Sequence, residues 1–441
     1  MLFRSLTLED LEVGFKLLNI KAHIKKDGEY LQINDSGEIN GFYSLTDEHL
    51  VSCPPFSKNL FATKTILNSN EHLAVTAIKM LQEVGSELIY NASLDRASNF
   101  ERSLLKGCTG IRSSTLFAGL SSRLKEGHED HERPLTTVLG TFGAGKTSLI
   151  KRAVVNFKKS GRVVHFVSPR RSLADTLIQS LGLTEKQSAG ADGKNGGKRK
   201  GKKNSQNTFV RTFETFLIQN ARVGGNDLVF FDEIQLFPPG YLDYASMLLP
   251  DTVQFFILGD PLQSDYDSMN DRHVFLGYES DIYNLLKGKE YKYNILSRRF
   301  SNKMFASRLP CSFKSECFTT EEPYIMLQGF GTNLDDIKNF SEVYLVASFV
   351  EKNFVKAHLG ENVKVLTFGE STGLTFERGS VFITESALKT SECRWVTALS
   401  RFSRNLILIN MLDITFESLA NQRSTTVLGR FLKGTADPSH T

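Results

Sequence analysis

The stretch GTFGAGKTSLIK, Gly140 to Lys151, fits the pattern GxxxxGK[ST] through Gly140, Gly145, Lys146 and Thr147. It follows the apolar run TTVLG and opens a segment in which Leu149, Ile150, Ala153, Val154 and Phe157 recur at helical spacing. A strand that ends in glycines and hands over to a helix leaves backbone N–H groups free to wrap phosphates, with the helix dipole behind them. Lys146 is expected to neutralise β/γ-phosphate oxygens and Thr147 to ligate magnesium. Gly140, Gly143, Ala144, Gly145 and Ser148 complete the expected nucleotide loop.

Outward from this loop, RVVHFVS, DLVFFDE and VQFFILGD are short β-branched or aromatic runs that alternate with helical stretches and end in polar or glycine residues. That rhythm predicts a parallel sheet with helices on its faces. A second series, SEVYLVAS, VKVLTFGE, SVFITES and NLILIN, begins after about residue 291. The expected fold is therefore α/β, with two tandem halves at 126–290 and 291–441. Residues 1–125 read as a smaller mixed, partly helical accessory domain, with one helical pattern running from Asn70 to Ala92. The run Gly190 to Asn207 holds six Lys/Arg against one Asp, a net +5 in a chain of net +4, so the remainder carries −1. With few apolar residues to pack, it is expected to be a disordered surface loop, and its charge suits phosphate contacts.

Three further stretches carry chemistry. DLVFFDEIQ delivers Asp232 and Glu233 at the end of an apolar strand, where one carboxylate can hold magnesium and the other can orient or deprotonate water. GDPLQ places Gln263 after a buried strand, and an amide that both donates and accepts can follow a γ-phosphate through hydrolysis. In the second half, Arg298 and Arg299 of SRRF and Arg401 of TALSR are cations of the kind a phosphoryl-transfer site gains across a cleft.

The order of phosphate loop, SPRR, TFETFL, DEIQ, GDPLQ, SRRF, TFGESTGLTF and TALSR resembles the superfamily 1 RNA helicases of alphavirus-like positive-strand RNA viruses. The wording DEIQLFPPGYLD and GDPLQSDYDS is most similar to the flexible filamentous and tymovirus-like plant and fungal viruses, over about Thr136 to Asn410. The resemblance implies two RecA-like P-loop NTPase domains, ATP or another NTP with Mg2+ as cofactors, and RNA, single-stranded or duplex, as partner. It implies that Lys146 and Thr147 bind the nucleotide with Asp232 on the metal, that Asp232 and Glu233 form the hydrolytic pair, and that Gln263 senses the γ-phosphate. Arg299, which directly precedes Phe300, and Arg401 are then the cross-cleft arginines, and Gly373 of the fifth motif lies at the nucleotide. By motif position Ser168, Pro169, Arg170, Thr212, Tyr266, Thr367 and Thr375 are the RNA-binding candidates. Two positions depart from the family pattern: Thr372 stands for a glutamine, and Thr397 for a valine, read as a packing change.

The implied function is ATP-driven RNA unwinding or translocation during viral genome replication, with removal of an RNA 5′ γ-phosphate at the same site in some relatives. The alternatives are a helicase-like movement or RNA-remodelling protein and a cellular superfamily 1 DNA helicase. Other replicase domains, capping enzyme and polymerase, are the expected protein partners. Five cysteines without a CxxC pair argue against a disulfide framework and against a zinc finger. HEDH, His128 to His131, reads as a solvated linker rather than a metal site. No apolar run has the length of a membrane span, so membrane association is expected to be indirect, and the expected setting is the host cytoplasm, at replication complexes.

Overall fold

The structure is a computed structural model that describes residues 20–26, 29–33, 39–46, 49–52, 69–107, 130–183, 207–218, 223–264, 266, 278–300, 308–313, 324–328 and 341–435. The basic run lies outside the described residues except for Asn207. Two units are distinguished, 1–81 with 151–163, and 82–150 with 164–441.

In the first unit, β1 (Ile20–Lys26), β2 (Glu29–Ile33), β3 (Ile39–Thr46) and β4 (His49–Ser52) form a sheet of order β2-β1-β3-β4. Strands β1 and β3 run parallel, whereas β1/β2 and β3/β4 are antiparallel pairs. Ala22 and Ile24, two residues apart on β1 and so on one face, are buried.

The expected helix from Asn70 to Ala92 is two elements. Helix α1 (Ser69–Val84) stops before Gly85, and β5 (Ser86–Ala92) follows. In SELIYNA the apolar positions change to a period of two, and the last buried pair, Tyr90 and Ala92, joins the core of the second unit. The first α/β half therefore starts before residue 126. It includes β5 and α2 (Leu94–Gly107), whose Ala97 and Phe100 share that core.

The first sheet is built from β6 (His131–Gly140), β7 (Val164–Ser168), β8 (Thr208–Thr212), β9 (Leu228–Phe231), β10 (Gln254–Gly259) and β11 (Tyr293–Asn294), in the order β11-β6-β10-β9-β7-β8. All these pairs are parallel, and β5 adds antiparallel to the N-terminal part of β6. Because β11 pairs with Leu139 and Gly140, the first sheet also extends past residue 290. Strand β9, LVFF, is buried at every position, as a strand covered on both faces must be. Phe230 stacks on Phe256 at 4.6 Å on one face, while Phe231 meets Phe255, Phe237 and Tyr241 on the other.

The helices of this half are α3 (Lys146–Ser160), α4 (Arg171–Ser180), α5 (Phe213–Ile218), α6 (Tyr241–Leu248) and α7 (Asp281–Leu286). The C-terminal turn of α6 has an unusual cap. Arg133 of β6, 1% exposed, donates to the carbonyls of Ser246, Leu249, Pro250 and Val253 and lies over the Phe255 ring at 4.5 Å. A guanidinium is well suited to this, since its donors fan out in one plane toward the orphan carbonyls of a helix end.

After the short pair β12 (Leu296–Ser297) and β13 (Ser312–Phe313), the second sheet comprises β14 (Tyr324–Gln328), β15 (Tyr344–Val346), β16 (Val365–Thr367), β17 (Phe376–Ile383) and β18 (Phe402–Asn410). Its order is β14-β18-β17-β15-β16, parallel throughout. Along β18, Leu406 and Leu408 enter one core while Ile407 and Ile409 enter another on the opposite face. Helices α8 (Phe349–Leu359), α9 (Glu392–Leu399), α10 (Phe416–Gln422) and α11 (Val427–Lys433) accompany this sheet. Among the described residues no helix is long and apolar enough to cross a membrane.

Replacing Arg133 by Met keeps the bulk but takes the guanidinium from four carbonyls, three of them in buried hydrogen bonds. The expected loss is about 3 kcal/mol, the cost of leaving buried acceptors unsatisfied, read as a lower midpoint of urea denaturation than wild type.

Candidate nucleotide site between two sheets

The phosphate loop leaves β6 at Gly140 and turns through Gly143 (φ 70°) and Gly145 (φ 88°) into α3. At Gly143 a side chain is excluded twice over, by the left-handed backbone and by the Arg299 Cβ, 2.7 Å from where its own Cβ would stand. The reason is the segment from β11 to Arg299, which is laid along the loop. Asn294 O accepts from Thr141 N–H (2.9 Å), Ser297 Oγ donates to Phe142 O (2.7 Å), and Arg298 N–H donates to Gly143 O (3.0 Å). The Phe142 ring leaves the loop altogether: it meets Phe300 edge-on at 5.6 Å and belongs to the core beneath the second sheet.

Lys146 Nζ donates back to Gly140 O (2.5 Å) and Thr141 O (3.3 Å), and its charge acts on both Asp232 and Asp260. Thr147 and Ser148 are exposed at the opening of α3. Asp232 stands at the end of β9, its N–H bonded to Val167 O. Withdrawal from water, with the Glu233 charge beside it, pushes its carboxyl up to about 7, against the pull of Lys146. Glu233 follows in the left-handed region (φ 53°), the one non-glycine residue with positive φ among the described residues.

From Glu233 a hydrogen-bonded series crosses to the second half. Gln235 Nε2 donates to Glu233 Oε2 (2.6 Å), and Gln235 Oε1 accepts from Asp260 N–H (3.2 Å). Asp260, buried, accepts from Tyr293 OH (2.9 Å) and from Gln263 Nε2 (2.6 Å), and Gln263 Oε1 accepts from Arg401 Nη2 (2.7 Å). Arg401 is fully buried and donates also to Thr397 O, Ser371 O, Leu374 O and Ser400 Oγ. Arg299 Nη1 reaches Ser400 O (2.5 Å), and burial draws its guanidinium down to about 10 although Glu233 and Asp260 lie nearby to oppose this. Burial, and then the charge of Arg299, lowers Arg401 as well.

The structure thus brings Lys146, Asp232, Glu233, Gln263, Arg299 and Arg401 to one place. Gly373 (φ 79°) joins them, its Cβ position 3.6 Å from Glu233 Oε1. An acid pair after an apolar strand, a glycine-rich turn and two arginines, one following β12 and one preceding β18, are the combination expected of a phosphoryl-transfer site.

Residues 136–410 match the family described as the viral superfamily 1 RNA helicase core domain. The chain belongs to that family. The helicase is 39% identical over 433 residues to the RNA replication polyprotein of apple stem pitting virus (isolate PA66), covering 94% of this chain and 19% of the relative. It is 34% identical to that of potato virus M (strain Russian), covering 98% of the chain and 21% of the relative. The chain therefore spans about a fifth of the length of these curated relatives. Residues 4–52 match a second family, the carlavirus endopeptidase. Among solved structures, the arterivirus nonstructural protein 10 helicase aligns at 18% identity and a TM-score of 0.40, over 63% of this chain and 60% of that one.

The RNA-binding candidates of the helicase divide by exposure. Ser168 is fully buried with its Oγ donating to Arg170 O, Pro169 is buried, and Thr367 is buried with its Oγ1 accepting from Glu370 N–H. These three side chains sit in turns at strand ends. Thr212 accepts from Thr215 N–H at the start of α5, and Tyr266 is half-buried against the first core. Arg170 Nη1 donates to Gly369 O (2.6 Å), which links the SPRR and TFGES motifs inside the protein. Thr375 is exposed.

Both family departures have physical content. Thr372 Oγ1 closes a turn on Gly369 O (2.7 Å). Thr397, read as a packing change, is a polar tie instead: its Oγ1 accepts from Ser264 N–H (2.8 Å) and Ser264 Oγ (2.9 Å). Gln235, Asn294 and Ser297 were not singled out from sequence. An amide or hydroxyl that bonds other protein groups carries no spacing signal of its own.

The Asp232 carboxyl, raised to about 7, is protonated below that pH and ionised above it. Magnesium-dependent binding of a fluorescent ATP analogue should therefore weaken as pH falls from 8 to 6. Glu233→Gln removes the neighbouring charge and should move the midpoint to lower pH.

Proposed function

We propose that this helicase core hydrolyses ATP, or another NTP, with magnesium, and couples the reaction to unwinding of or movement along RNA during viral genome replication. The observation that carries the reading is the direct bond between Gln263 of the first half and Arg401 of the second, beside the loop that Arg299 overlies. Elements of two sheets meet at the acid pair, so a change in either sheet is felt there.

The residues present fit a magnesium nucleotide. The left-handed glycines Gly143 and Gly145 add no side chain at their turns of the loop, and Thr147 with Asp232 offers one hydroxyl and one carboxylate, hard oxygen donors of the kind magnesium takes alongside phosphate oxygens. The bound nucleotide supplies the phosphoanhydride that is broken. Lys146, by giving up the carbonyls of Gly140 and Thr141, would turn its charge to the β/γ oxygens. Glu233 would orient water and take its proton, and Arg299 would offset the charge that develops on the γ-phosphate. Gln263, already bonded to Arg401, would report the state of that phosphate to the second half. Removal of a 5′ γ-phosphate from RNA would use the same groups.

RNA would lie across the strand ends of both sheets, near Arg170, Thr212, Tyr266 and Thr375. Similarity to RNA replication polyproteins supports the replicase reading over a movement protein; polymerase and capping domains would be its partners and the host cytoplasm its setting. RNA-stimulated ATPase measured on wild type and Lys146→Ala tests the proposal. The variant should lose at least on the order of 100-fold in turnover; equal turnover in the two proteins would refute it.

A further inference from the structure

We propose that Gln235 is a positioning residue that ties the placement of Glu233 to how the second half holds the GDPLQSDY loop; this rests on the NTP-hydrolysis reading above. Gln235 is 1% exposed, and each polar end of its amide is matched to the group it meets. Its Nε2 donates to Glu233 Oε2 at 2.6 Å, and its Oε1 accepts from Asp260 N–H at 3.2 Å. Its backbone carbonyl accepts from Tyr266 N–H at 2.9 Å. One residue therefore pins both ends of the loop that begins at Asp260.

Between those two pins the loop belongs to the other half. Gln263 Oε1 takes the Arg401 hydrogen bond, and both Ser264 N–H and Ser264 Oγ donate to Thr397 Oγ1 on α9. A shift of α9 pulls on the middle of the loop, the loop pulls on Gln235, and Gln235 pulls on Glu233. Two local features suit Glu233 to such control. Its backbone is left-handed (φ 53°), a conformation costly for any residue with a side chain, and the Gln235 bond helps to hold it. The second is the room made for the amide: a Cβ at Gly259 would stand 2.5 Å from Gln235 Oε1, so glycine is needed there for Gln235 to reach Asp260.

The test is steady-state ATPase of the full chain, with and without saturating single-stranded RNA, for Gln235→Met, Gln235→Glu, Gly259→Ala and the double variant Gln235→Met/Gly259→Ala. Met keeps the volume and removes both bonds, whereas Glu sets acceptor against acceptor at Glu233. Each single variant should lose on the order of 10- to 100-fold in RNA-stimulated kcat, with KM for ATP and the affinity for a fluorescent ATP analogue unchanged. The double variant should be no worse than the poorer single, because both act through one amide.

Gln235→Asn, which keeps the amide but shortens its reach, replaces Gln235→Met if the latter does not fold, as judged by thermal melting. An unchanged kcat in the folded variant, a change confined to KM, or multiplied losses in the double variant would overturn the proposal. Wild-type turnover no greater than that of Lys146→Ala would instead sink the hydrolysis reading, and this inference with it.

Discussion

A guanidinium buried without water must find an oxygen for nearly every N–H, and Arg401 finds its oxygens on three separate segments. The carbonyl of Thr397 and the hydroxyl of Ser400 come from its own helix end, the carbonyls of Ser371 and Leu374 from the TFGEST loop, and the amide oxygen of Gln263 from the first half. None of these acceptors is a carboxylate, so the charge is met by dipoles that must all point inward at once. Losing one of them leaves a buried donor unsatisfied, at about 1–3 kcal/mol. The convergence of α9, the TFGEST loop and the GDPLQ loop is the geometric solution to that demand, and the nucleotide site inherits its shape from it.

The same economy governs the acid pair. Asp232 and Glu233 are adjacent, yet their backbones differ: the first completes a β-strand and the second turns left-handed into a 3-10 turn at Ile234–Leu236. Burial and then the Glu233 charge raise the proton affinity of Asp232, and Lys146 opposes them without cancelling them.

Much of this was legible in the sequence where a residue type answers to a backbone requirement. DLVFFDE, VQFFILGD and NLILIN read as strands of parallel sheets with helices on their faces, and the glycines of GTFGAGKT as a turn into a helix. The misreading of Ser86–Ala92 as helix has a simple cause: SELI continues the apolar spacing of α1 for one more turn, and only Gly85 marks the change of period. Arg133 carried no signal in the sequence, because nothing in HERP reveals that its guanidinium turns inward to the end of α6. At the site, the charged and glycine residues were visible by motif, whereas the ties that Gln235 and Ser264 make to distant segments were not, and Thr397 stood out only as a departure read as packing.

Phe142 gives the phosphate loop an unusual allegiance. Its backbone is wrapped between β6 and α3 of the first sheet, but its ring is a member of the second half's core. Burial of a phenylalanine ring stabilises by about 2–3 kcal/mol, so parting the sheets must either strip that ring into water or drag the loop along with it. Domain opening and loss of loop shape are then a single event. The phosphate loop and the second half's core are thus joined through one aromatic side chain.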